Sequence, residues 1–120
     1  MFDLSIKGSP YSRFRAALRS GNLTSVRLAA AELPQVDLTD ALAICLLMGA
    51  QDDPRFERAA VRWLARLCLE RPDLSLEDLR HGAVALDALP ANGDAARQSL
   101  ADLCQRLRIH DAVCLLQATR

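Results

Sequence analysis

The stretch Ala41-Leu42-Ala43-Ile44-Cys45-Leu46-Leu47-Met48 has no charged or polar side chain on any face. A helix lying on a protein surface divides into an apolar stripe and a polar one, whereas a helix that is apolar all round is enclosed by others. Eight residues fall far short of the roughly 20 that a membrane-spanning helix requires. The stretch is therefore read as the middle of a water-soluble core. Asp37 or Thr39 can open a helix before it and Gly49 follows it, so a buried central helix over residues 38–49 is expected.

Signals on either side of this segment are also helical. Ser9-Pro10 is a cap followed by a first-turn proline, and Tyr11, Phe14, Ala17 and Leu18 recur at helical spacing until Gly21. Asn22 caps a second run in which Leu23, Val26, Ala30 and Leu33 share a stripe before Pro34. Asp53 as cap and Pro54 as first residue open a fourth helix that runs to about Glu70. Ser75 and Asp78 form a capping-box pair ahead of a fifth, which closes at Pro90. After Asn92-Gly93, a sixth carries Ala96, Leu100, Leu103 and Leu107, with Asp102 placed four residues before Arg106. Ile109, Ala112, Val113 and Leu116 predict a short closing helix within 109–120. No window alternates with period two, so no strand is required.

These readings predict an all-α protein, a compact bundle of about six short antiparallel helices or a stack of helix hairpins around the central one. A chain of 120 residues is the size of one domain, and residues 1–8 are read as an N-terminal tail. The segment from Ala17 to Leu23 resembles the turn-and-helix phrase of ankyrin-type repeats. It does not recur at a fixed period, so no repeat architecture is implied.

Half the residues are apolar and a quarter charged, the balance of a folding chain rather than a disordered one. Fifteen basic and fifteen acidic side chains cancel, which removes the uniform field of a dedicated nucleic-acid binder. All the basic residues but Lys7 are arginine. The first residues lack the basic and apolar regions of a secretory leader. Cys45, Cys68, Cys104 and Cys114 fall in apolar helical patterns without a CxxC pair. Four reduced, mostly buried thiols and a cytoplasmic location are expected, with no membrane association.

Catalytic signals are sparse, for there is no GxSxG, no HExxH and no phosphate-cradling glycine loop. His81 and His110 have no evident partner, and Ser99 reads as helix surface. Cys104, His110 and Cys114 match no zinc spacing. No catalytic residue, cofactor or metal is assigned. A helix-turn-helix is disfavoured because Ser20, Asn22 and Arg27 stand where that motif needs apolar residues.

One polar pattern stands out. Arg55, Arg58, Arg62 and Arg66 are three, four and four residues apart, which at 100° per residue confines them to an arc of roughly 80° on the fourth helix. Phe56, Ala60, Leu64 and Leu67 take the opposite side, and Trp63 is expected at the boundary, able to meet a partner. Acidic segments flank this helix. Residues 37–53 hold Asp37, Asp40, Asp52 and Asp53 without a base, and 72–94 hold five acids against Arg80. The leading expectation is a non-catalytic protein-interaction or adaptor module, whose partner is another protein or a second copy of itself. The contact surface is the set Arg55, Arg58, Arg62, Trp63 and Arg66, with the C-terminal segment. The alternatives are a nucleic-acid accessory protein gripping phosphates through that stripe with Arg13, Arg15 and Arg19, and a small-ligand sensor with a pocket near Trp63.

Overall fold

Local capping chemistry divides the chain into its helices. The computed structural model describes residues 9–118, and among them every regular element is helical. In chain order these are α1 (Pro10–Ser20), α2 (Leu23–Ala31), α3 (Leu38–Ala50), α4 (Phe56–Glu70), α5 (Leu76–Ala88), α6 (Gly93–Arg106) and α7 (His110–Ala118). The expected tail at 1–8 and the last two residues of the closing segment lie outside the described range.

Ser9 Oγ accepts from the Ser12 N–H at 3.3 Å, Asn22 Oδ1 from Ser25 at 3.0 Å, and Asp37 Oδ1 from Asp40 at 2.8 Å. Each satisfies a first-turn donor that its helix leaves open. Ser75 and Asp78 form the full reciprocal box. Gly21 ends α1 at φ 75°, a left-handed conformation that favours glycine, and its N–H bonds the Ala17 and Leu18 carbonyls. The fourth helix differs from expectation. Asp53 Oδ1 accepts from the Arg55 N–H at 2.8 Å, so Pro54 and Arg55 form a turn and the helix starts at Phe56.

Two bodies of packing emerge. From α3 to α7 a continuous cluster of buried side chains runs through Leu42, Leu46, Trp63, Leu86, Leu100 and Leu116. The α1–α2 hairpin packs on itself and on α3, with Phe14, Leu23 and Val26 buried but outside that cluster. α3 touches α1, α2, α4 and α7, and of the uncharged 41–48 stretch Leu42, Ala43, Cys45, Leu46 and Met48 are buried. Gly49 follows because α4 and α5 converge there. A Cβ on it would stand 2.6 Å from Leu89 Cδ2 and 3.1 Å from Phe56 Cε1.

Polar ties hold the hairpin to α3. The Tyr11 hydroxyl donates to Asp40 Oδ2 at 3.1 Å, and Arg15 lies 3.5 Å from Asp40 Oδ1. Gln51 Nε2 donates to the Gly21 carbonyl at 2.6 Å. Asp40 is the one charged side chain buried among the described residues. Burial, and then the nearby charge of Asp37, raise its carboxyl above the ordinary value.

Candidate functional site

The four arginines of the stripe all lie on α4 or the turn before it, but they are not equivalent. Arg55 is held by Asp53, its Nε at 2.9 Å and its terminal nitrogen at 2.8 Å from the two carboxylate oxygens. That grip pulls the Asp53 carboxyl down to about 2. Arg66 donates to the Val36 carbonyl at 2.8 Å and pairs with Glu70 at 2.9 Å. It closes the loop before α3 onto α4. Arg58 and Arg62 make no hydrogen bond or ion pair with any described residue. The flanking acids do not neutralise them.

Trp63 corrects the expectation of a boundary residue. It is 2 % exposed, and its indole N–H donates to the Leu38 carbonyl at 2.9 Å. A buried indole needs an acceptor for its one polar atom, and the first residue of α3 supplies it. With that donor satisfied, the whole ring enters the core beside Leu42 and Leu67. Trp63 is therefore a wall, not a contact surface.

What it walls is a groove of about 330 Å³ between α2, α3 and α4. Ala41, Ile44 and Met48 of α3 floor it, Trp63 backs it, and Arg62 and Arg66 stand on one bank. Arg27 of α2 stands on the other. Arg27 carried no signal in the sequence, because no helical period links α2 to α4. Only the packing of the hairpin on α3 brings the two banks together.

Elsewhere the expected basic surface is weakened. Arg13 is paired with Glu32 at 2.7 Å, and Arg15 leans on Asp40. Of the three arginines expected to extend a phosphate grip, two have acidic neighbours. On α7, Ala112, Val113 and Leu116 face inward, and His110, Asp111 and Cys114 face solvent.

His81 has partners that its sequence neighbourhood did not reveal. Its Nε2 lies 2.9 Å from Ser99 Oγ and its Nδ1 3.5 Å from the Arg106 guanidinium, while Arg106 bonds Asp78 at 2.7 Å. The Arg106 pairing expected with Asp102 is replaced by this one, and Asp102 accepts from Gln98 instead. A guanidinium only donates, and the direction of the Nε2–Ser99 bond follows the tautomer of the ring. The cluster braces α5 against α6.

The thiols divide evenly. Cys45 and Cys104 are buried, and desolvation pushes each up to about 11, while Cys68 and Cys114 are exposed, which corrects the expectation of mostly buried thiols. Among the described residues no group of three or more His, Cys, Asp or Glu side chains is placed to hold a metal. No helix among them is long and apolar enough to cross a membrane. No protein-family model, curated protein or solved structure matches the chain.

Proposed function

We propose that this chain is a non-catalytic interaction module that takes an acidic, amphipathic helical segment of a protein partner into the groove between α2, α3 and α4. The observation that carries the reading is the pair Arg58 and Arg62, cations without a partner among the described residues, with Arg62 on the bank of the groove and Arg58 one turn before it, while Arg55 and Arg66 are both engaged. A groove with an apolar floor and positive banks is complementary to a helix with leucines on one side and carboxylates beside them. Steering by the unpaired guanidiniums sets partner choice more than raw affinity. In this reading the helices form an antiparallel bundle organised on α3, which presents a rigid floor to the partner. Cytoplasmic residence belongs to the same proposal, and a second copy of the chain is one form the partner can take.

The test uses two synthetic amphipathic helices with the same leucine stripe, one flanked by glutamates and one by lysines, and reads Trp63 fluorescence at the groove wall. The glutamate peptide is expected to bind and the lysine peptide not. Arg58→Glu with Arg62→Glu should weaken the former at least about tenfold, equivalent to about 1.4 kcal/mol, and improve the latter. Equal response to both peptides would remove the proposal. A salt-sensitive shift of DNA or RNA, lost in the same double variant, would replace it with the nucleic-acid reading. Light scattering at two salt concentrations decides whether the partner is a second copy.

A further inference from the structure

Away from its arginines, α4 meets α5 over a groove of about 260 Å³, with Ala60, Leu64, Ala83 and Leu86 along it and Phe56 and Pro90 at one end. The two helices come close because Gly82 of α5 has no side chain, for a Cβ there would stand 3.0 Å from Leu64 Cδ2. Glu57 and Asp87 are the charged residues of this lining, one on each helix. Both are exposed, and neither makes a hydrogen bond or ion pair with any described residue. Arg80, also on α5, already pairs with Glu77 at 3.0 Å. The molecule therefore carries unpaired carboxylates beside one side of α4 and the unpaired guanidiniums of Arg58 and Arg62 on another, roughly a third of a turn away. An apolar side chain accompanies each pair. Leu69, 83 % exposed, falls between Arg58 and Arg62 around the helix and lies seven residues beyond Arg62. Leu64 is likewise seven residues beyond Glu57, so charge and leucine are about 10 Å apart along both faces.

We infer that the α4–α5 groove of one copy receives the arginine face of α4 of a second copy, with Glu57 and Asp87 meeting Arg58 and Arg62 while Leu69 enters beside Leu64. The inference names a partner for those arginines and rests on the reading that they are held ready for carboxylates. Charge complementarity selects the occupant. The groove calls for a helix with bases beside an exposed apolar side chain, and α4 presents one. Within one copy the two faces cannot meet, because they lie on the same helix. The contact is heterologous, so each copy offers a free face to the next and the series grows past two copies unless it closes as a ring. Exposed ion pairs contribute little each and are screened by salt, so the association is weak and fades as ionic strength rises.

Sedimentation equilibrium of the full chain at low and high salt tests it. The average mass is expected to rise with concentration at low salt and to return toward that of one copy at high salt. Glu57→Gln with Asp87→Asn removes one face and Arg58→Gln with Arg62→Gln the other, and each variant alone should associate at least about tenfold more weakly. An equal mixture of the two keeps one intact contact per pair, so it should regain the wild-type affinity and stop at two copies. The variant lacking Glu57 and Asp87 should still bind the glutamate peptide, because the two grooves share no lining residue. A chain that stays at the mass of one copy up to about 1 mM overturns the contact, as does a mixture no more associated than its components. Association without any response to the glutamate peptide removes the α2–α3–α4 groove and leaves this contact standing.

Discussion

The α1–α2 hairpin and the α3–α7 body are both helical, both capped, and built from similar residues, but they are held in different ways. The body shares one continuous apolar cluster, and Trp63 alone bonds across from α4 to α3. The hairpin has three buried large side chains, an Arg13–Glu32 pair that joins its own two helices, and polar ties to Asp40 and Gln51 of the α3 segment. A small apolar interface supplemented by half-exposed polar ties is the pattern of a low-stability unit. The proposed groove lies along the seam between hairpin and body, where a modest movement of α2 changes its width.

The largest effect that sharpens this contrast is Trp63→Ala. Loss of a buried aromatic costs about 3–5 kcal/mol, and the Leu38 carbonyl is left without its donor. The whole α3–α7 body should lose its cooperative transition in a urea melt. Phe14→Ala removes a side chain of comparable burial, costing about 3 kcal/mol, but from the hairpin. Amide exchange should then accelerate across α1 and α2 while α4 to α7 keep their protection. A uniform loss of protection in Phe14→Ala would show that hairpin and body unfold as one unit.

The two regions should also respond to pH with opposite signs. Asp40, the residue of α3 on which the hairpin docks, holds its proton to higher pH in the folded protein than in the unfolded chain, where it ionises near about 3.9. Between those two values the folded state binds more protons, so the hairpin's docking weakens as pH rises through that window and stays weaker above it. Asp78 runs the other way, because the Arg106 side chain and then the Ser75 backbone N–H lower its carboxyl. Its contribution is present above the ordinary carboxylate value and is lost as pH falls through the lowered one. Exchange protection followed from pH 7 down to about 3 should therefore rise in α1 and fall at the α5–α6 junction. Asp40→Asn should flatten the first trend and Asp78→Asn the second.

The body was more legible in the sequence than the seam. Caps at Ser9, Asn22, Asp37 and Ser75 act within three residues, so spacing alone located those helix starts. The uncharged 41–48 stretch announced the burial of Leu42, Ala43, Cys45, Leu46 and Met48 for a similar reason, but Ala41, Ile44 and Leu47 are only half-buried and line open crevices. Trp63 was misplaced because its environment depends on a carbonyl twenty-five residues earlier in the chain. The partners of His81 lie on α6, eighteen and twenty-five residues away, beyond any helical period. The arginine stripe was visible as a pattern, and the acids that engage Arg55 and Arg66, Asp53 and Glu70, are close in sequence, but the bond from Arg66 to Val36, a loop residue, was not legible. Glu57 and Asp87 share a groove only because α5 packs along α4, and no local rule contains that.

The smallest effect is the one that bears most directly on the proposed groove. Arg62 and Arg66 are one turn apart on the same helix and read alike in the sequence. Arg66 has a charged hydrogen bond to a backbone carbonyl of the α2–α3 connection, so Arg66→Gln should cost about 1 kcal/mol. Arg62 touches no acceptor among the described residues, and Arg62→Gln should change stability by less than about 0.5 kcal/mol, with the melting temperature as readout. A cation that adds nothing to the fold while standing over an apolar groove is available to a partner at no cost to stability. Should Arg62→Gln destabilise the protein as much as Arg66→Gln, the guanidinium is a fastening of the seam. The positive bank that selects an acidic helix would then lose the charge on which that selection rests.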